Sequence, residues 1–454
     1  MPPFLLPDAP VADLDAHLAR GGGRGIERAL ELGPGGTIEE IGLSGLRGRG
    51  GAGFRTGTKW RTIRAGEGPR YVVANAAEGE PGTFKDRTLL RLDPFSVLEG
   101  LAIAARTMEA NEAVVGLKAS FEVERGRVLA ALEQVTGAGW FGDVQVRVVG
   151  GPEEYLFGEE KALLEVIEGG DPLPRTLPPY LHGLFVTDVQ IGWTSVEPAG
   201  QGRTAGANPT LVNNVETLAD VAHVLARGAA WFRTMGTERS AGTVCVTVTD
   251  ESGAAGVVEV EMGTPLGEAV AAAGGPGPDQ VGCVLSGVSN PPLGPEALDV
   301  PLTYEDLEAA GGGLGSAGFV LYGPGTCTLA VARMVSRFLA VESCGQCPPC
   351  KLGTGAITDA LDALLAGTAA DDVLDDIGDV LRRVSDGNRC SIPVQEQRVV
   401  GGFLQRFPDD VVAHLEGTCR KGHDVPTPKL VDIADGRAVL DPRQDAKRTD
   451  WTYG

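Results

Sequence analysis

The chain has 454 residues, 43% of them hydrophobic, and carries a net charge of −22 with a pI near 4.7. This length is enough for about two to four domains with sizeable cores, and the acidity argues against a nucleic-acid binder or a protein that adheres to anionic membranes. No apolar run approaches a membrane span, and the opening MPPFLLPDAPVADLD has no basic segment followed by an apolar core, so a cytoplasmic protein that reaches a membrane only through partners is expected.

Residues 1–40 read as a helical lead, with LDAHLARGGGRGIERALEL and TIEEIGLS. The run LSGLRGRGGAGFRTGTKW follows, with Arg47, Arg49 and Lys59 set among glycines. YVVAN (71–75) reads as a strand, and Asp93-Pro94 as the N-cap and first residue of a helix reaching about Met108. AVVGLK (113–118) is the next strand, so this is a β-α-β unit. A helix near 121–135, a strand at 144–150 and a helix opening near Gly158 extend it to an α/β domain over 41–235. From Gly242 the texture changes. TVCVTVTD and GVVEVEM read as a hairpin, followed by a short helix, giving a small α+β module over 240–322. Residues 326–418 are helical, with Ile357, Leu361, Leu364 and Leu365 on one face and Val373, Leu374, Ile377, Val380, Leu381 and Val384 on another. The charged tail, 419–454, is expected to drape over a surface or a partner.

The helical region holds the most informative pattern. Cys344, Cys347 and Cys350 lie in ESCGQCPPCKLGT, and Cys390 follows after two helical segments that would fold as a hairpin. C-x2-C-x2-C with one remote cysteine is how thiolates hold a [4Fe–4S] cluster. A structural zinc is the competing reading, but such sites favour paired C-x2-C knuckles. Disulfides are the other, and 8 cysteines are too few here for a secreted scaffold. Cys245, Cys283, Cys327 and Cys419 read as buried small hydrophobes or stray thiols.

Three loops carry candidate ligands. Gly48, Gly50 and Gly51 would let backbone N–H groups approach a phosphate, with Lys59 as a point charge, although neither standard nucleotide fingerprint is matched. A mobile glycine-rich loop is the plain alternative. Asn75, Glu78 and Glu80 directly follow a strand, where open α/β sheets bind ligands, or they form a solvated acidic turn. Gly158-Glu159-Glu160 opens a helix, where glutamates also simply complement the dipole.

The order SGLRGRGGAGFRTGTKW, NAAEGEPGTFKDR, YLFGEEKALLE, NPTLVNNVETLADV, ESCGQCPPC and a lone cysteine closely resembles the NADH-oxidising flavoprotein subunit of respiratory complex I and its relatives in NAD-linked hydrogenases and formate dehydrogenases. The resemblance covers about residues 10–418. It implies an α/β domain binding FMN and NAD, a ubiquitin-like β-grasp module of the soluble-ligand-binding (SLBB) type, and a helical bundle holding the [4Fe–4S] cluster. It implies that Gly48, Arg49, Gly50, Gly51 and Lys59 hold FMN, that Asn75, Asn213 and Asn214 contact the flavin, and that Gly79 and Glu80, next to Glu78, lie at the nicotinamide. Tyr155, Gly158, Glu159 and Glu160 would line the shared pocket, with Glu80 and Glu159 at its reacting end, and Phe54 would pack on the nucleotide. Hydride would pass from NADH to the flavin and single electrons to the cluster, then to a larger redox complex that includes a small [2Fe–2S] partner subunit.

The departures from that family concentrate on the dinucleotide side. Ala77 replaces the usual Asp, Thr62 an aromatic and Leu177 a basic residue, Phe157 stands where a small residue is usual, and 186–206 is an insertion. Either adenine is held by other groups, with Tyr180 and Trp193 as candidates, or nucleotide binding is weakened or replaced and the chain relays electrons between a flavin and a ferredoxin, formate dehydrogenase or hydrogenase partner. A non-enzymatic scaffold holding zinc is the third reading, and the intact glycine loop argues against it.

Overall fold

The computed structural model describes residues 3–186 and 207–453. The chain divides into two compact units, Met1–Glu78 with Asp86–Gly242, and Gly79–Lys85 with Thr243–Gly454. The acidic loop after Glu78 therefore belongs to the second unit.

The first unit is built on a parallel sheet of β1 (Tyr71–Ala76), β2 (Glu112–Lys118), β3 (Gln145–Gly151) and β4 (Thr210–Asn214), in the order β3-β2-β1-β4. Val72, Val73 and Ala74 of β1 and Ala113, Val114 and Val115 of β2 are all buried. Such unbroken apolar runs belong to parallel strands covered on both faces. Helix Pro94–Met108 links β1 to β2 and starts as the sequence predicts: the Asp93 carboxylate accepts from the Ser96 N–H at 3.1 Å, with Pro94 next. Helix Glu122–Gly137 links β2 to β3, and helix Val215–Arg227 follows β4.

The N-terminal lead is part of this unit. Helix Arg24–Ser44, kinked at Gly33, packs on helices Pro94–Met108 and Val215–Arg227. Its start is capped from outside, because the buried Glu99 carboxylate accepts from the N–H groups of Gly23, Gly25 and Ile26 and faces His17 Nε2 at 3.0 Å. Orphan donors at a helix start need such an acceptor.

The second unit contains a mixed sheet of β5 (Thr243–Asp250), β6 (Ala255–Glu261), β7 (Cys283–Ser286) and β8 (Gly318–Tyr322), in the order β6-β5-β8-β7. β5 pairs antiparallel with β6 and parallel with β8, while β7 and β8 are antiparallel. Helix Leu266–Ala272 closes a core that includes Val244, Val246, Val270, Phe319 and Leu321. Five helices follow: Thr328–Glu342, Pro348–Ala366, Val373–Arg383, Ile392–Arg406 and Pro408–Leu415. Ile357, Leu361 and Leu364 meet Val373, Ile377 and Leu381, so Pro348–Ala366 and Val373–Arg383 form the hairpin that the apolar faces predict.

The tail is built into its own unit rather than merely laid over a surface. It contains a hairpin of β9 (Leu430–Ala434) and β10 (Arg437–Leu440). Lys447 Nζ and the Glu342 carboxylate form a fully buried ion pair at 3.0 Å, and Trp451 Nε1 donates to the Val341 carbonyl. Among the described residues no helix is long and apolar enough to cross a membrane.

Candidate functional site

The strand order creates the first candidate site. Chain order runs outward from β1 through β2 to β3, then crosses to β4 on the other side of β1. The point where strand order reverses leaves a crevice at the carboxyl ends of the strands, where α/β sheets bind ligands. Asn75, one residue before the end of β1, and Asn214, the last residue of β4, stand in register with one another.

Each neighbouring group is fixed by a named contact. Asn75 donates from Nδ2 to the Gly158 carbonyl at 2.8 Å, joining the end of β1 to the turn Tyr155–Gly158, where Tyr155 is half-buried. Asn214 donates to Asp86 Oδ2 at 2.7 Å, and its own Oδ1 caps Glu216 N–H at 3.0 Å. Asn213 Oδ1 accepts from the buried Trp60 indole N–H at 2.9 Å. Trp60 lies on helix Thr56–Ala65, beside Lys59, whose ammonium pairs with Glu160 at the start of helix Glu160–Ile167. Glu159 is the N-cap of that helix, with Oε2 accepting from Lys161 N–H at 2.9 Å and Ala162 N–H at 3.0 Å. Burial raises its pKa, against the opposing pull of Lys161.

The glycine loop closes over this crevice. Its ends pair, with Gly48 N–H on the Phe54 carbonyl at 2.8 Å and Arg47 Nε on the Gly53 carbonyl at 2.7 Å. Gly51 has φ +121°, which favours glycine, and a Cβ on Gly50 would stand 3.1 Å from Asn214 Cβ. The cradle is therefore backbone-walled on the side facing β4, which fits a phosphate-bearing flavin. Arg49 is buried: its N–H donates to Thr217 Oγ1 at 2.8 Å, its guanidinium donates to the Ala241 carbonyl at 3.0 Å and faces Asp220 at 3.6 Å. Its charge thus anchors the loop to the protein. Phe54 is 57% exposed and Tyr180 48% exposed, so both rings are accessible.

The acidic loop splits in character. Glu78 is buried and accepts from Arg87 Nε at 3.0 Å and Asp86 N–H at 3.1 Å. Gly79 and Glu80 belong to the second unit. There the Glu80 carboxylate accepts from Val288 N–H at 3.0 Å, Ser289 Oγ at 2.8 Å and Ser316 Oγ at 2.5 Å. Gln395 donates to Ser289 Oγ at 2.8 Å, so this network reaches the helix that follows Cys390. Three donors on one carboxylate make Glu80 an anchor of its loop.

Cys344, Cys347 and Cys350 stand at the start of helix Pro348–Ala366, and the segment that carries Cys390 reaches the same place. Cys347 is its N-cap residue and Cys350 lies in the first turn. Arg389, next to Cys390, donates to Gln346 Oε1 at 2.8 Å, and Cys347 Sγ stands 3.7 Å from the Gly387 carbonyl. These contacts bring the remote segment to the other three thiols. Ser343 Oγ lies 3.2 Å from Cys350 Sγ and Gln346 Nε2 lies 3.6 Å from Cys344 Sγ. Burial pushes the Cys350 thiol up to about 11, with Cys347 and Cys344 adding to the rise against the Ser343 hydrogen bond. Crowded thiols of this kind fit a cationic metal centre that replaces their protons on binding.

Comparisons with known families and proteins cover both regions that hold these residues. Residues 41–223 match the Nuo51 FMN-binding domain, and residues 330–414 match the NADH-ubiquinone oxidoreductase-F iron–sulfur binding region. The F 2 subunit of NADH-quinone oxidoreductase in Rhizobium meliloti (strain 1021) is 35% identical over 432 residues, covering 91% of this chain and 98% of the relative. The chain belongs to the family of NADH-quinone oxidoreductase F subunits. The F subunit of the same enzyme in Streptomyces coelicolor is 34% identical over 417 residues, covering 89% of this chain and 88% of that one. Two solved structures of an NAD+-reducing [NiFe]-hydrogenase are also similar. The H2-reduced state gives a TM-score of 0.76 at 31% identity over 89% of this chain and 67% of that chain. The air-oxidised state gives 0.72 at 33% identity over 84% of this chain, which spans 63% of that chain. As a member of this family the chain is an electron-transferring oxidoreductase subunit with FMN and [4Fe–4S] binding regions.

Two of its departures from the family pattern lie together. Ala77 and Phe157 belong to one buried cluster with Val73, Val114 and Leu163. Thr62 is exposed, its hydroxyl bonded to the Thr58 carbonyl at 3.1 Å, and Leu177 is exposed. Trp193 lies outside the described residues. Sequence reasoning missed Thr217 and Asp220, which hold Arg49. Their signal is modest: they are three apart on the helix after NN and share one face. It also missed Trp60 as the partner of Asn213.

Proposed function

We propose that the chain takes hydride from NADH onto FMN and passes electrons singly to its [4Fe–4S] cluster and on to partner subunits. The bound groups supply the conversion of an electron pair into single electrons, while the protein supplies orientation, exclusion of water and tuning. The observation that carries this reading is the crevice between β1 and β4, walled by the glycine loop, in a chain that also sets Cys347 and Cys350 at one helix start, with the Cys390 segment in contact there. In it, Gly48, Gly50 and Gly51 give the phosphate a close backbone approach, Lys59 and Glu160 set the charge balance at the mouth, and Asn75, Asn213 and Asn214 fix the flavin edge. Glu159 caps the helix that follows the turn carrying Tyr155 and Gly158. Phe54 and Tyr180 offer exposed rings for the dinucleotide. Arg49 and Glu80 act as positioning residues.

The exchange at Ala77 and Phe157 supports retention of the NADH reaction. A small residue and a large one fill one buried cluster, so the change replaces packing and leaves the crevice residues in place. We read the β6-β5-β8-β7 sheet with helix Leu266–Ala272 as the SLBB-type β-grasp module, supported by its parallel central pair between two antiparallel partners. The domain limits proposed are 1–40, 41–235, 240–322, 326–418 and 419–454, with a cytoplasmic setting and a small [2Fe–2S] protein as partner. Anaerobic titration with NADH, followed by flavin bleaching and EPR of the reduced cluster, tests the reading. Bleaching and a cluster signal are expected. A flavin that stays oxidised under NADH but reduces with a ferredoxin-level donor would replace the dehydrogenase with the electron relay.

A further inference from the structure

We infer that Cys327, His414, Cys419 and His423 form a second metal site in this chain, taking one zinc ion and separate from the four cysteines of the iron–sulfur region. One ligand atom from each of the four lies within 4.8 Å of all the others. Cys327 Sγ stands 3.3 Å from His414 Nε2, and Cys419 Sγ stands 3.5 Å from His423 Nε2. Around a tetrahedral zinc with Zn–S near 2.3 Å and Zn–N near 2.0–2.1 Å, the sulfur–nitrogen edge is roughly 3.6 Å. Both pairs are within a few tenths of an ångström of that edge.

The donor set names the metal. Two thiolates and two imidazoles suit zinc and repel hard cations such as magnesium or calcium, which take oxygen ligands. Four protein ligands leave no open position, so the site is structural. The supports around it are also in place. Cys327 N–H donates to the Gly422 carbonyl at 2.9 Å and Gly422 N–H donates to the Gly325 carbonyl at 2.8 Å, so the two ligand-bearing loops are clamped by backbone pairing. The His414 ring also bonds the Leu364 main chain, which orients it as second-sphere partners orient metal-bound histidines. Asp410 accepts from Thr328 N–H at 2.9 Å and pairs with Lys421 at 2.7 Å, bracketing the same three segments. Cys327 and His414 are buried, Cys419 is half-buried and His423 is exposed. Zinc there would staple the loop 418–423 to the start of helix Thr328–Glu342 and the end of helix Pro408–Leu415.

The test is metal analysis and zinc-edge X-ray absorption on the whole flavin- and iron-loaded protein, purified without chelator. One zinc per chain beside the iron is expected, with two sulfur neighbours near 2.3 Å and two nitrogen neighbours near 2.0–2.1 Å. Cys419→Ser and the exposed His423→Gln should each lose the zinc and keep iron and flavin. If a variant does not fold, thiol modification of the native protein in the presence of a coloured zinc chelator gives the same answer by release of one equivalent. A zinc-free protein with a Cys327–Cys419 disulfide in its mass spectrum overturns the inference. So does zinc with four sulfur neighbours, which would place it at Cys344, Cys347, Cys350 and Cys390, and so does full zinc retention in both variants.

Discussion

Gly50→Ala tests the cradle directly. The added Cβ would stand 3.1 Å from Asn214 Cβ, closer than ordinary contact, and one of the two must give way. Asn214 is held by Asp86 at 2.7 Å and by the Glu216 N–H at 3.0 Å, so the glycine loop is the part that moves. Overpacking against a fixed neighbour costs about 1–3 kcal/mol. If the loop is the FMN cradle, most of that strain is relieved by leaving it displaced, and flavin affinity falls about 5- to 150-fold at 1.4 kcal/mol per tenfold. Gly48→Ala is the comparison within the same loop, since its Cβ would meet only the Phe54 carbonyl at an ordinary 3.6 Å. The assay is fluorescence titration of flavin-stripped protein with FMN, alongside iron content as a check on the second unit. Equal affinity in Gly50→Ala and the parent, with equal thermal midpoints, would refute the reasoning.

Three further outcomes are expected. His17 is held charged up to about 9 from an ordinary 6.5: burial opposes the charge, and Asp93 and Glu99 outweigh it. Its contribution, on the order of 3 kcal/mol, is therefore complete below pH 6.5 and is lost as pH rises through about 9. Thermal midpoints measured from pH 6 to 10 should fall across that upper range, and a flat profile in a protein that keeps its cofactors would contradict the assignment. Cys347→Ser should abolish the EPR signal of the reduced cluster and lower iron content, while flavin remains; an unchanged signal would remove Cys347 from the ligand set. Glu80→Ala leaves Val288 N–H, Ser289 and Ser316 without their shared acceptor, so NADH-dependent bleaching should slow by about tenfold or more through lost positioning with FMN still bound, and an unaltered rate would deny the loop that role.

Much of this architecture was legible in the sequence because its signals are local. Asp93-Pro94 starts a helix wherever it is read, the parallel strands are unbroken apolar runs, and three cysteines within seven positions fall at one helix start. What was not legible depends on pairings across long separations. Nothing near Asn75 says that β4 lies beside β1, yet that adjacency makes the crevice. The resemblance assigns Arg49 to FMN, but nothing near it in the sequence says that Asp220 and the Ala241 carbonyl stand beside it. Glu80 reads as a carboxylate at the nicotinamide, and its three donors, more than two hundred positions away, are not visible beside it in the sequence. Cys327 and Cys419 read as inert for the same reason: the spacing His414-x4-Cys419-x3-His423 is in the sequence, but Cys327 lies 87 positions before His414.

The buried pairing of Lys447 with Glu342 has a practical consequence for handling the protein. Glu342 lies two positions before Cys344, at the end of the helix that delivers the first three thiols. Clipping the chain after Leu440 would strand that carboxylate in a dry interior, a penalty on the order of 3–5 kcal/mol borne by the very segment that must present sulfur to iron. Preparations nicked near the C-terminus should therefore lose their brown colour before they lose their yellow.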